Sequence, residues 1–291
     1  MTPARSLLFV PANRQRMLDK AMALPADAFI IDLEDSVPAS EKPEARFAAR
    51  EYVDRLPAGR GWIRINSTDS TFIDDDLGST IGAKGLAGYM LPKAESPEQL
   101  ASLDQKLNDL ERKAGVKLGS TELILTLESA RAVLFSYSLS TCTPRVVSLV
   151  FGGARDADLM NDMGCSWSSD GPELMYARQH ALLSMRAGGI ACPLDGVFAD
   201  VRDKAAFDFD TTLSRRLGYR GRAVVHPDQV EAANRLYSPS AADIDYYSRV
   251  LEALEQSKAK GEASTTVEGR MIDEAMGITA RRVLEQAKDF S

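Results

Sequence analysis

Short runs of apolar residues recur along the chain, each broken by polar or glycine-containing stretches. Eight of them read as strands, over residues 7–10, 28–33, 62–65, 86–91, 123–127, 146–151, 197–199 and 223–225. Most are nearly continuous hydrophobe rather than alternating, which is the pattern of strands buried on both faces. Helical signals lie between them. Asn13 is placed to cap "RQRMLDKAMAL" and Ser40 to cap "EKPEARFAAREYVDRL". Ser96 stands before Pro97 at a first helical position, ahead of "EQLASLDQKLNDLERKAG" with glycine at its end. Strand–helix alternation of this kind predicts a parallel sheet. Eight units in roughly 240 residues fit an α/β architecture closed as a (β/α)8 TIM barrel better than an open dinucleotide-binding sheet. No GxGxxG follows the first strand to favour the latter.

Past residue 225 the pattern changes. "SPSAADIDYYSRVLEALEQSKAKG" and "RMIDEAMGITARRVLEQAKDF" read as helices, and "EASTTVEG" between them as an extended linker. We therefore expect a catalytic barrel over residues 1–237 and a C-terminal helical extension over 238–291, serving as a lid, an oligomerisation arm or both.

Composition narrows the partners. With 35 basic against 42 acidic side chains the net charge is −7, so no nucleic-acid footprint is expected and an anionic ligand needs a local basic patch. There is no signal-peptide-like start and no apolar run of membrane-spanning length, so we expect a cytoplasmic protein with no membrane partner. Cys142, Cys165 and Cys192 are odd in number and lack CxxC spacing, and read as small buried hydrophobes in a reducing compartment.

In a barrel of this type the carboxyl ends of the strands converge on one face. Read in order, those ends carry Asn13 and Arg14, then Asp32, Glu34 and Asp35, Arg64 and Asn66, Lys93 and Glu95, Glu128, Asp156 and Asp158, Asp200, and His226. Carboxylates gathered on one face repel each other unless a cation sits among them. Oxygen ligands without His or Cys clusters point to Mg2+ rather than zinc. His180 and His226 are the only histidines and offer no catalytic triad or HExxH motif, so both read as structural.

The stretches "RSLLFVPANR", "FIIDLEDSV", "WIRIN", "LPKAE", "LTLESARAVL", "VFGGARDADLMNDMG", "GYRGRAVVHPDQV" and "GRMIDEA", in this order, resemble the citrate lyase β-subunit-like family of TIM-barrel lyases. That family includes malyl-CoA, β-methylmalyl-CoA and citramalyl-CoA lyases. The resemblance runs from about residue 5 to about residue 275. It implies a Mg2+-dependent carbon–carbon lyase that splits a short β-hydroxyacyl-CoA into acetyl- or propionyl-CoA and a 2-oxo acid.

Residue by residue, the resemblance makes Glu128 of "LES" a metal ligand and Arg64 of "RIN" the stabiliser of the enolate oxygen. The competing reading of Arg64 is an ordinary salt bridge to Asp32 or Glu34. The second ligand is ambiguous because "FGGARDADL" is longer than the family's passage. Counting back from "DLMNDMG" gives Asp158, and counting forward from the glycines gives Asp156. Asp158 is preferred, since it would also open the helix. Glu34 and Asp35 are expected to accept from metal-bound waters, while Asp32 and Lys93 serve internal ion pairs. Basic residues after the first strand meet CoA phosphates in the family, and Arg14 and Lys20 match best among a cluster that includes Arg5 and Arg16. Asp273 of "GRMIDEA" matches an aspartate that reaches a neighbouring subunit's active site, where it would move a proton. Its bland alternative is a helix cap. The resemblance also implies a homo-oligomer, trimeric or hexameric. Two other functions stay open: a class II aldolase acting on free hydroxy-oxo acids, and a citrate lyase β-like component working with an acyl carrier protein.

Overall fold

The computed structural model describes residues 3–168 and 170–290. Eight parallel strands close a barrel in sequence order: β1 (Ser6–Pro11), β2 (Ala28–Asp32), β3 (Gly61–Arg64), β4 (Leu86–Leu91), β5 (Glu122–Leu127), β6 (Val146–Phe151), β7 (Leu194–Asp195) and β8 (Gly221–Val224). The seam closes where β1 pairs β8, with Leu7 opposite Ala223. Helices α1 (Gln15–Ala21), α2 (Lys42–Asp54), α3 (Ile73–Thr80), α4 (Pro97–Ala114), α5 (Ala130–Leu134), α6 (Ser136–Thr141), α7 (Asp158–Met163), α8 (Pro172–Ala187), α9 (Lys204–Leu217) and α10 (Pro227–Tyr237) connect and follow the strands. This is the (β/α)8 TIM barrel that the apolar runs predict.

The barrel interior is filled by one side chain or more from every strand: Leu7, Ile30, Trp62, Met90, Ile124, Val150, Leu194 and Ala223 form one buried cluster. Each large aliphatic member contributes about 1.5–3 kcal/mol by leaving water. Because the interior is packed, those polar side chains at the strands' carboxyl ends that point inward have no room below and face the mouth.

Seven of the eight runs read as strands overlap a barrel strand, and the exception is informative. The apolar run 197–199 is not β7; the strand is Leu194–Asp195, three residues earlier. Asp195, 2 % exposed, does not look like an interior residue until Arg178 is seen to pair with it. Two expected caps also fail. Arg14, not Asn13, occupies the cap position of α1, and Asn13 Nδ2 instead donates to Glu41 at 2.6 Å. Ser40 sits within a 3-10 turn, Ala39–Glu41, that precedes α2. The reading of α4 holds: Ser96 Oγ accepts from Gln99 N at 3.2 Å, and Gly115 ends the helix in a left-handed conformation at φ 70°. Of the cysteines only Cys192 is buried; Cys142 is exposed and Cys165 half-buried, so the picture of three buried hydrophobes is corrected.

The chain divides into two compact units, Met1–Asn234 and Arg235–Ser291. In the second, α11 (Ala241–Ala259) and α12 (Glu274–Asp289) flank a hairpin of β9 (Thr265–Val267) and β10 (Arg270–Ile272). The expected linker "EASTTVEG" thus supplies β9 and the turn, while β10 takes the first three residues of the stretch expected as the last helix, which begins only at Glu274. The hairpin's two-residue turn places both Glu268 (φ 48°) and Gly269 (φ 77°) in the left-handed region, as a type I′ hairpin turn requires. Val250, Leu254, Ile272 and Ala280 form this unit's own small core. No helix among the described residues is long and apolar enough to cross a membrane.

Candidate active site

A cavity of about 450 Å3 opens at the carboxyl ends of the strands. Its lining is divided along the barrel's circumference. Asp32, Arg64 and Glu128, from the ends of β2, β3 and β5, together with Asp158 at the start of α7, make the charged side. Phe9, Val150, Val197, Ala223 and Val225, from β1 and from β6 through β8, make the apolar side.

Glu128 follows β5 directly. The next residue, Ser129, caps α5 by accepting from Ala132 N at 3.1 Å, so the chain turns away and leaves the carboxylate at the mouth. Its neighbour on the adjacent strand has to be glycine. A Cβ on Gly152 would lie 2.5 Å from the Leu127 carbonyl oxygen and 3.0 Å from Glu128 Cγ. One carboxylate oxygen is fixed, because the Lys93 backbone N–H donates to Glu128 Oε2 at 3.1 Å. Burial pushes the Glu128 carboxyl up, against the pull of Arg64 and of its hydrogen bonds with Thr126 and Lys93.

Arg64 is both an ion pair and a lining group. Nε and Nη2 each donate to an Asp32 oxygen at 2.6 Å, Nη1 lies 3.0 Å from Glu34 Oε2, and the guanidinium stacks 4.9 Å from the Phe9 ring centroid. The fork leaves further N–H groups on the terminal nitrogens. Burial would raise the Asp32 carboxyl, yet the Arg64 fork outweighs it and holds the group below the usual range. Glu34 is less well compensated. Burial pushes it up to about 7, with Arg64 and Lys93 opposing and Asp35 and Glu128 adding to the rise. Lys93, at φ 54°, reaches Glu34 Oε1 at 3.5 Å and Asp158 Oδ2 at 3.9 Å.

Asp158 opens α7 and faces the cavity. Asp156 does not line it; its side chain is 80 % exposed and lies 3.4 Å from Arg155 Nε. The site therefore offers two carboxylates, Glu128 and Asp158, with further acids around them and no histidine or cysteine among the described lining residues. No group of three or more His, Cys, Asp or Glu side chains placed to hold a metal occurs among the described residues. A donor set of one or two carboxylates completed by water is what a small hard cation takes.

Arg14 and Lys20 are exposed at the two ends of α1, and Met17 between them lines the cavity. Arg5 does not belong with them. It sits before β1, at the amino end of the barrel, where Asp27 takes its Nε at 2.8 Å and its Nη2 at 2.9 Å. Asp273 caps α12, accepting from Met276 N at 3.2 Å. His226 Nδ1 accepts from Asp228 N at 3.2 Å, a local turn contact, and His180 packs on Tyr176.

Lys42 is a buried charge beneath this site that nothing in the sequence marks. It is 6 % exposed, and its Nζ donates to the carbonyls of Leu33 at 2.6 Å and Glu34 at 2.9 Å. A lysine that opens an amphipathic helix carries no signal for this; only the fold brings it under the β2 end.

Residues 5–227 match the model of the HpcH/HpaI aldolase/citrate lyase family. The chain belongs to that family. It is a carbon–carbon lyase by that membership. The citrate lyase subunit beta of Leuconostoc mesenteroides subsp. cremoris is 31% identical over 285 residues, 97% of this chain and 93% of that protein. A (3S)-malyl-CoA thioesterase of Cereibacter sphaeroides is 29% identical over 288 residues, 98% of this chain and 95% of that protein. Among solved structures, the CitE protein of Mycobacterium tuberculosis in complex with magnesium, acetoacetate and coenzyme A superposes with TM-score 0.78 at 28% identity, covering 98% of each chain.

Proposed function

We propose that the protein is a Mg2+-dependent lyase that cleaves a short β-hydroxyacyl-CoA of the malyl, citramalyl or citryl type to acetyl- or propionyl-CoA and a 2-oxo acid. The observation that carries this reading is the meeting of Glu128, Asp158 and Arg64 on one cavity, in a family member similar over nearly its whole length to a protein bound to magnesium and coenzyme A.

Glu128 and Asp158 would hold the cation, leaving Asp156 to its arginine neighbour. Bound there, Mg2+ would grip the 2-oxo acid and draw electrons from its carbonyl. Breaking the carbon–carbon bond removes the β-hydroxyl proton and sends an electron pair to the thioester enolate. Arg64, fixed by Asp32 and Glu34, has N–H groups left to stabilise that enolate oxygen. Glu34 and Asp35 would orient waters at the cation. Arg14 and Lys20 would meet the CoA phosphates, and Asp273, supplied by a neighbouring subunit of a homo-oligomer, would move the proton.

Purified protein with Mg2+ should release a 2-oxo acid from at least one of malyl-, β-methylmalyl-, citramalyl- and citryl-CoA, and EDTA should stop it. No release from any of the four overturns the reading. Cleavage of free hydroxy-oxo acids alone would indicate the aldolase. Turnover only on acyl carrier protein thioesters would indicate the citrate lyase component, a reading favoured by the Leuconostoc relative.

A further inference from the structure

β7 is the weak stave of the barrel. It has two residues, pairing with β6 only at Val150–Leu194 and with β8 at Leu194–Gly221 and Asp195–Arg222. The ladder ends at Asp195, yet the next residues, Gly196 and Val197, form part of the reaction cavity's apolar side. Buried backbone groups in such a segment need partners. Here side chains supply them. The Gly196 carbonyl accepts from Arg222 Nε at 3.1 Å and Nη2 at 2.8 Å, and Gly196 N donates to Asp195 Oδ1 at 2.9 Å. The Phe198 carbonyl accepts from Gln229 Nε2 at 2.9 Å, while Gln229 Oε1 accepts from Val225 N at 3.0 Å.

These holders are themselves held. Arg222 Nη1 donates to Asp210 Oδ2 at 2.9 Å and Thr211 Oγ1 at 2.8 Å, and its guanidinium lies 5.0 Å from the Phe207 ring. Arg178 bridges Asp195 and Asp210, so two arginines balance two aspartates in a buried cluster. Behind the wall a second cavity of about 60 Å3 shares Ala154, Gly196 and Val197 with the reaction cavity. The wall therefore has space to retreat into if its holders let go.

We propose that Arg222 and Gln229 are positioning residues that set the Gly196–Val197 wall, and that this wall gauges the uncharged substituent of the 2-oxo acid. The inference rests on the lyase reading above. The cation side of the cavity grips the carboxylate and keto oxygen, so the remaining group, which is hydrogen or alkyl for substrates of the malyl and citramalyl type, faces the apolar side. Differences of one methylene at such a wall are worth about tenfold in affinity or more.

The test is calorimetric binding of glyoxylate, pyruvate and 2-oxobutanoate to the full-length protein in Mg2+, with Mg2+ binding measured separately. Val197→Ala trims the wall directly and should shift the pyruvate-to-2-oxobutanoate affinity ratio about tenfold toward the longer acid. Arg222→Lys keeps the charge beside Asp210 but loses the fork on the Gly196 carbonyl. It should shift the ratio in the same direction, about threefold or more, with the Mg2+ dissociation constant within about twofold of wild type. Gln229→Met, which frees the Phe198 carbonyl and the Val225 N–H without touching a charge, should do likewise and serves if Arg222→Lys does not fold. A ratio unchanged in both holder variants while Val197→Ala shifts it overturns the positioning role. An unchanged ratio in Val197→Ala, or a parallel loss of Mg2+ and of all three acids in the holder variants, overturns the gauge. If the wild-type protein binds none of the acids with Mg2+, the lyase reading itself has failed and takes this inference with it.

Discussion

Lys93 meets Glu128 through its backbone and turns its ammonium elsewhere: the N–H donates to Glu128 Oε2, while Nζ lies between Glu34 and Asp158. A left-handed backbone at a non-glycine residue, φ 54° here, costs of order 1 kcal/mol and persists where surroundings impose it. Lys93→Gly keeps the donor, relieves the strain and removes the ammonium. Without that positive charge near the proposed ligand Asp158, Mg2+ should bind about three- to tenfold more tightly, the effect of one partly exposed charge. Weaker or unchanged binding by titration calorimetry would rule out competition between the ammonium and the cation.

Gly152→Ala tests the geometry of Glu128 without altering any charge. The added Cβ would collide with the Leu127 carbonyl and press on Glu128 Cγ. The variant should lose about 10- to 100-fold in Mg2+ affinity, comparable to mutating a residue that supports a ligand. Wild-type affinity in a folded variant would show that Glu128 does not hold the cation.

Two carboxyls give opposite slopes of stability with pH. Glu34 is raised from 4.5 to about 7, so within that window the folded chain holds a proton the unfolded chain has lost, and stability falls as pH rises. Glu111 is the reverse: burial alone would raise it, but Arg145 and the backbone N–H groups of Thr121 and Gly119 hold it down at about 2. Its contribution is complete above about 4.5 and lost as pH falls toward about 2. In cation-free buffer, Glu34→Gln should raise Tm relative to wild type at pH 8 and have little effect at pH 5. An equal change at both pH values would exclude Glu34 as the titrating group.

Arg14→Ala with Lys20→Ala should raise KM for CoA thioesters about tenfold or more and flatten its salt dependence, since the phosphate contacts that salt screens would be gone. Cleavage of free hydroxy-oxo acids, if present, should be unaffected. Equal losses on both substrate types would place these residues outside CoA recognition.

Asp273→Ala and Arg64→Ala should each be nearly inactive. Mixed oligomers of the two should recover part of the activity, because some sites would draw Arg64 from one chain and Asp273 from another. No recovery on mixing would return Asp273 to the helix-capping role it plays in α12.

The barrel was legible because its staves are written as buried apolar runs, and the acids at their ends stood out against that background. What was illegible depended on partners distant in sequence. "PLDGVFAD" looks like a strand at its apolar end, but Asp195 is accommodated by Arg178 on another element, while the carbonyls of Gly196 and Phe198 go to Arg222 and Gln229. Lys42 was hidden for the same reason. The hairpin in the tail was missed although its signals were local: β-branched Thr265, Thr266 and Val267, then Glu268 and Gly269 at the turn. The polar surroundings masked them. Asn13 and Ser40 have cap chemistry, but the turns at Arg14 and at Ala39–Glu41 decide where those helices begin.

The brevity of β7 has an evolutionary consequence. Where a stave is fastened by backbone pairing, most side-chain substitutions leave the fastening in place, and the pocket wall stays where it is. Between Asp195 and Phe198 the fastening is written in side chains, so single codon changes at Arg222 or Gln229 can move the wall while the ladder of the remaining strands stays intact. Selectivity is therefore free to diverge among descendants of this barrel at a position where divergence leaves the fold's hydrogen-bond ring untouched.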